Sequence, residues 1–380
     1  METTPAFRGL ECTDCGAVHG AEEHGRCPDC GGPLDPTYDL DDVALDDGDR
    51  SMWRFGAVLP VVDPVTAAEG GTPLVDAPAL ARELDVGEVR VKDEARNPTG
   101  SFVDRGMAVA VTAARERGLE PLALAAAGNA AQSAAAYAGR ADLRSRAFVP
   151  VRAPFANKAM TNVHGGEMHV GGGRYPDALA ALEERLATDY HSLLPFTSPY
   201  RHEGAKTIAH EVAAEGTPDV VVVPVGTGEA LVGVAKGFRE RVDLGLADGV
   251  PRLVAAQPSG CAPVVTAHER GDAVEPWERP DTICGELEVP DPPGGDLALR
   301  ALDRTDGRAV AVDDDDLLES AVAATKTTGV EVGLAGGTAA AAAWAVADDL
   351  PTDASVVVLN TESGGKTADV LRSHLMGQGV

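Results

Sequence analysis

The sequence predicts an α/β protein built on parallel sheet, and three observations carry that reading. Short Val- and Ala-rich runs alternate with segments of helical period, glycine-rich turns separate the two, and only 4% of the 380 residues are aromatic although 44% are apolar. Strands covered on both faces are continuous β-branched runs, and Ala-rich helices pack closely over them. The units follow in order. VGEVRVKDE precedes a helix from Ser101, PLALAAAG precedes a helix from Asn129, and SRAFVPV, EMHVGG and HSLLPFT come next. DVVVVPVGTG then leads into EALVGVAKGFRE, followed by RLVAAQPSG and SVVVLNTESGG. Ala339 to Ala343 reads as a tightly packed helix. Asp313 to Asp316 reads as a charged helix start that suits the macrodipole, with metal binding as the rival reading. Sheets of this kind place ligands at the carboxyl ends of their strands.

Four of the six cysteines fall in the first 30 residues, as Cys12-x2-Cys15 and Cys27-x2-Cys30, with Gly16 and Gly31 directly after each pair. Two such hairpins can close a tetrahedral four-thiolate zinc site, each glycine allowing the tight turn. A knuckle that has lost its metal is the other reading. His19 and His24, between the pairs, are expected to face solvent. Metal removal is expected to loosen the N-terminal segment alone. Residues 35–50 are densely acidic without apolar periodicity and read as a linker.

Sixty acidic residues against 32 basic leave a net charge of -28, a field that repels phosphate backbones and anionic lipid. Nucleic acid and membrane surfaces are excluded as partners on that ground, and the acid reads as a solvated surface of the kind high-salt cytoplasms favour. No run of about 18 apolar residues occurs, and METTPAFRGLECTDC has no basic n-region or apolar h-region, so a cytoplasmic location is expected.

Three turns carry candidate chemistry. In Lys92 to Gly106, Ser101 with Asp104 makes a capping box that sets position 103 in the first helical turn. Ala127-Gly128-Asn129-Ala130 is a strand-to-helix turn whose Asn can point into a cleft. Pro224 to Ala230 opens a helix on glycines, as a phosphate cradle or as a plain tight turn. Arg201, Glu203 and Lys206 either bind a phosphorylated substrate or form an ion-pair network that fixes the next helix. Cys284 reads as a small buried residue rather than a nucleophile, having no His nearby in sequence.

Taken together, the chain resembles the threonine synthase family of the fold type II, tryptophan-synthase-like pyridoxal-phosphate enzymes. The resemblance rests on the knuckles, LPVVDPVTAAEGGTPLVDA, VKDEARNPTGSFVDRGMA, AAGNAAQSAAAYA, SPYRHEGAKTIAHE, VVVPVGTGEALVGVAKGF, DTICGELEVPDPP and VLNTESGGKTAD, in that order. It implies a two-domain α/β fold behind an N-terminal zinc ribbon. Residues 1–46 would be ribbon and acidic linker, 47–95 with 200–380 a large domain, and 96–199 a small one. It implies pyridoxal phosphate as cofactor and the conversion of O-phosphohomoserine and water to threonine and phosphate. By resemblance Asn129 meets the ring hydroxyl, Thr361 meets the pyridine nitrogen, and Gly226, Thr227 and Gly228 cradle the phosphate. Ser101, Arg201 and Lys206 fall to the substrate.

The family's imine lysine, in its SFKDR stretch, falls on Val103. A valine has no nitrogen for an imine, and losing the proton shuttle alone removes roughly 10²–10⁴ in rate. Glu229 stands where backbone should approach the phosphate, Ser363 replaces the family's His, and Ala127 replaces a hydroxyl residue. Lys92, Lys206 and Lys366 sit where the family also has lysine, and Lys158, Lys236 and Lys326 lie in helical segments, so none reads as recruited. The expectation is a threonine-synthase-like protein with impaired catalysis. The alternatives are a non-catalytic homologue that binds a ligand or a partner subunit, and a related amino-acid lyase or dehydratase. Its partners would be a small amino-acid substrate or analogue, and a second copy of the chain or a catalytic paralogue.

Overall fold

A computed structural model describes residues 1–46, 48 and 50–377. The chain forms two compact units: Met1–Gly71 with Val103–Glu211 and Arg239–Asp248, and Thr72–Phe102 with Val212–Phe238 and Gly249–Val380.

The first unit holds two sheets. β1 (Phe7–Cys12) pairs antiparallel with β2 (Val18–His19) and β3 (Leu34–Tyr38), and Cys12 faces Leu34 at the end of the β1–β3 ladder. The first residues of the acidic run, Asp35 to Tyr38, are therefore strand rather than linker. Their apolar signal is hidden by Pro36 and by a cross-strand partner that lies more than twenty residues upstream. Asp47 and Asp49 of the same run lie outside the described residues. The second sheet is parallel, in the order β8 (Glu167–Val170), β7 (Ser145–Val149), β6 (Leu122–Ala125) and β9 (His191–Ser192).

The second unit is built on six strands in the order β12 (Arg308–Val312), β11 (Arg252–Pro258), β10 (Val220–Pro224), β13 (Ser355–Asn360), β5 (Glu88–Asp93) and β4 (Leu74–Asp76). All neighbours are parallel except β4, an antiparallel edge strand. Every residue of β10 is buried, which explains its unbroken VVVV run. Val222, Val254 and Val358 pack in one core with Ala339 to Ala343 of helix Leu334–Val346, small side chains that let helix and sheet approach closely. The acidic run does open helix Asp314–Thr328. Its Asp314 also accepts from Thr282 Oγ1 at 2.6 Å and Ile283 N at 2.8 Å, holding the 282–284 loop. Among the described residues no helix is long and apolar enough to cross a membrane.

Candidate functional site

In the second unit β10, β13 and β5 are adjacent and parallel, so their carboxyl ends share one edge, from which two of the three candidate turns leave, after β5 and β10, together with the loop after β13. At the end of β13, Asn360 Nδ2 donates to Asp93 Oδ1 at 3.0 Å, closing the ends of β13 and β5. Burial raises the Asp93 carboxyl while this hydrogen bond lowers it. Beyond β5, Glu94 accepts from Thr72 Oγ1 at 2.5 Å and from Asn97 Nδ2 at 2.8 Å, and Lys92 Nζ donates to Thr72 O at 2.6 Å. This buried lattice presents the 97–102 loop to the one that follows β13. Phe102 N donates to Thr361 O at 3.0 Å, Ser101 bridges Glu362, and Ser363 N donates to Gly100 O at 3.1 Å. Ser101 and Thr361 are thus brought together, both buried. The bridges also explain why the helix expected from Ser101 begins at Val103.

After β10, the Gly226-Thr227-Gly228 turn packs on the 286–294 loop. At Gly228, where φ is +91°, a Cβ would lie 2.8 Å from Gly294 O, so glycine is required. Glu229 is the first residue of helix Glu229–Asp243, and it is only 2% exposed. Sequence reasoning missed two further acids here. Burial first, and the Glu362 carboxylate second, push Glu286 up to about 8, with Lys366 acting the other way. The only sequence signals were a Glu inside the apolar run ICGELEV and another directly after Thr361. Cys284 Sγ lies 3.8 Å from Glu286 Oε2, and burial pushes its thiol well up, as fits an inert buried residue.

In the first unit Val103 opens helix Val103–Arg117, buried at 6% exposure. That helix packs on helix Asn129–Arg140, with Ser133 Oγ donating to Asp104 Oδ1 at 2.6 Å, so the helix carrying Val103 and the one begun by Asn129 are held side by side. Asn129 Oδ1 accepts from Asn157 Nδ2 at 3.1 Å. Arg105 lies fully buried, its Nη1 and Nη2 donating to Glu211 at 2.7 and 2.8 Å, and Nη1 also donates to Thr207 Oγ1 at 2.9 Å. Arg201 Nη1 donates to Leu193 O at 2.7 Å. Lys206, also fully buried, meets Glu203 at 2.8 Å and Glu240 at 2.7 Å. Two carboxylates already hold its charge, which is the geometry of the ion-pair-network reading.

The four knuckle cysteines bring their sulfurs within 4.8 Å of one another. Gly16 N and Gly31 N donate to Cys12 O and Cys27 O at 2.9 and 2.8 Å, closing the two turns at φ +73° and +79°. Burial works to raise Cys12, but the backbone N–H groups of Cys15 and Asp14 and the Cys30 thiol bring it down to about 7. The Gly32 N–H favours the Cys30 thiolate, yet the sulfurs of Cys12 and Cys15 and burial drive Cys30 up to about 12. Four sulfurs this close offer a ligand set for a metal ion. His19 does not simply face solvent, for its Nε2 lies 3.3 Å from Cys27 Sγ. His24 lies exposed against the His191 ring, centroids 5.7 Å apart.

The sheets and the loops at their carboxyl edges define a fold type II α/β protein, and residues 65–362 match the pyridoxal-phosphate dependent enzyme family, to which the chain belongs. Within it, the chain is similar to threonine synthases. It is 35% identical over 321 residues to that of Methanosarcina acetivorans, covering 81% of this chain and 79% of the relative. It is 32% identical over 375 residues to that of Methanocaldococcus jannaschii, covering 94% and 93%. Among solved structures, a fungal L-serine ammonia-lyase from Rhizomucor miehei shares the fold with a TM-score of 0.71 at 21% identity, over 83% of this chain and 99% of that one. Maize serine racemase does so with a TM-score of 0.66 at 18% identity, over 81% and 94%.

Proposed function

We propose that this chain keeps the threonine-synthase-like scaffold but not the imine chemistry, and acts as a non-catalytic homologue binding an amino-acid-like ligand or a partner subunit. The observation that carries this is Val103, a buried alkyl side chain at the head of its helix where the resemblance calls for the imine lysine. The other lysines support the same reading. Lys92 is tied to Thr72 O, Lys206 to two carboxylates and Lys158 to Val151 O. Lys366 lies near enough to Glu286 for its charge to act on that carboxyl, and its Cε packs on Gly100, where a Cβ would lie 3.2 Å away. Lys236 and Lys326 ride on helices. Buried Glu229 follows the glycine turn that the resemblance gives to the phosphate. The residues present therefore do not fit pyridoxal phosphate in the family's imine-linked mode, and no catalytic step is drawn through it.

The cysteine cluster does fit zinc. Four sulfurs converge, Gly32 N donates to Cys30 Sγ at 3.4 Å, and the mutual repulsion of the thiolates is what a divalent ion relieves. We assign Cys12, Cys15, Cys27 and Cys30 as a structural zinc site, in a protein of the cytoplasm. Phosphate release from O-phosphohomoserine in the presence of pyridoxal phosphate tests the functional reading. No release above the protein-free control is expected. Turnover that tracks protein concentration would overturn it.

A further inference from the structure

Polar contacts join the cysteine segment and the strand after it to residues 198–206 and to Arg117 of the same unit. Strand β3 carries two of them. Asp35 Oδ1 lies 2.7 Å from Nε2 of His202, whose side chain is 2% exposed, and Tyr38 OH donates to Glu203 Oε2 at 2.6 Å. Glu203 also holds the Lys206 ammonium, which sits 3.8 Å over the Tyr38 ring and reaches Glu240, and Glu240 in turn meets His210 Nε2 at 2.9 Å. The loop between the knuckles makes the second attachment. Ala21 O accepts from Tyr200 OH at 2.7 Å and from Arg117, whose guanidinium lies 4.6 Å over the Tyr200 ring.

We propose that the four cysteines, once closed on a metal, act as a clamp that keeps residues 198–206 ordered, so that metal loss loosens this stretch as well as the N-terminal segment. The inference rests on the zinc reading above. Between Thr13 and Pro33 the only regular structure is the two-residue β2, so this segment leans on its cysteines and on the Ala21 contacts. The β1–β3 ladder ends at Cys12 and Leu34, next to Asp35, so fraying from the cysteines reaches the Asp35 contact first and Tyr38 after it. Glu203 then loses the Tyr38 hydroxyl, and Lys206 loses the ring that covers it. Buried carboxylates stripped of a donor draw in water, and the segment that carries them opens.

Hydrogen exchange on the full chain tests the clamp, with metal content measured on the same samples. In the zinc-loaded protein the 198–206 amides should exchange slowly. After chelation, or in Cys12→Ser/Cys30→Ser, they should exchange about tenfold faster, the effect of one hydrogen bond to a charged group, while β10 is unchanged. Tyr38→Phe should retain its metal and still speed exchange at 198–206, which separates the contact from the ion. A metal-loaded protein whose 198–206 amides ignore both chelation and Tyr38→Phe overturns the clamp and leaves the zinc site standing. Protein that binds no zinc overturns both.

Discussion

A lysine placed at position 103 should not by itself give tight binding of pyridoxal phosphate, because Glu229 stays buried after the glycine turn of the second unit. In Val103→Lys a nitrogen returns to the head of its helix, but Glu229 stays buried directly after the Gly226-Thr227-Gly228 turn. With a separation of about 5 Å between a charged Glu229 and a phosphate seated on that turn, and an effective dielectric near 20, each pair of unit charges repels by about 3 kcal/mol. That exceeds the roughly 1 kcal/mol of a typical hydrogen bond and corresponds to more than a hundredfold in affinity. The assay is equilibrium binding of pyridoxal phosphate, and separately of unphosphorylated pyridoxal, to Val103→Lys and to Val103→Lys/Glu229→Gln. The double variant should bind the phosphate ester more than a hundredfold tighter, whereas pyridoxal should distinguish the two variants little. Equal affinity for pyridoxal phosphate would show that Glu229 points away from the phosphate and would refute the electrostatic argument.

Two further outcomes follow from buried charge. Glu211→Gln leaves the Arg105 guanidinium buried without its carboxylate, and loss of one partner of such a pair costs about 3–5 kcal/mol. The urea midpoint should fall with an unchanged slope, and a loss below about 1 kcal/mol would contradict the pairing. Glu286 tests the acid pair. The folded chain holds a proton there that the unfolded chain releases, so this group's contribution to stability falls as pH rises from about 4.5 to about 8. Glu286→Gln should flatten urea midpoints across that window, and an unaltered slope against pH would show that Glu362 and burial do not act on it.

What could be read from the sequence was what is local. The β10 run and its glycine turn, the Asn129 turn and the paired cysteines each declare themselves within about ten residues, through period, composition or spacing. The antiparallel strands were not legible in that way, because β3 and β4 take their identity from partners elsewhere in the chain. The candidate site divides along the same line. Gly228 was legible as a turn. The Glu286–Glu362–Lys366 group was not, since it forms only when the loops after β11 and β13 meet. His19 was read as solvent-facing for the same reason, as Cys27 approaches it only after the knuckles close. The ion-pair network around Lys206 could be named as one of two readings, but Glu240, 34 residues further on, is what gives it a second carboxylate.

The claim on which the account turns is that no lysine here serves the family's imine role. Borohydride reduction of the protein equilibrated with pyridoxal phosphate, followed by peptide mapping, addresses it directly, because reduction makes any imine permanent. The account predicts no stoichiometric pyridoxyl group on Lys92, Lys158, Lys206, Lys236, Lys326 or Lys366, the chain's six lysines. A one-to-one adduct on any of them would contradict it.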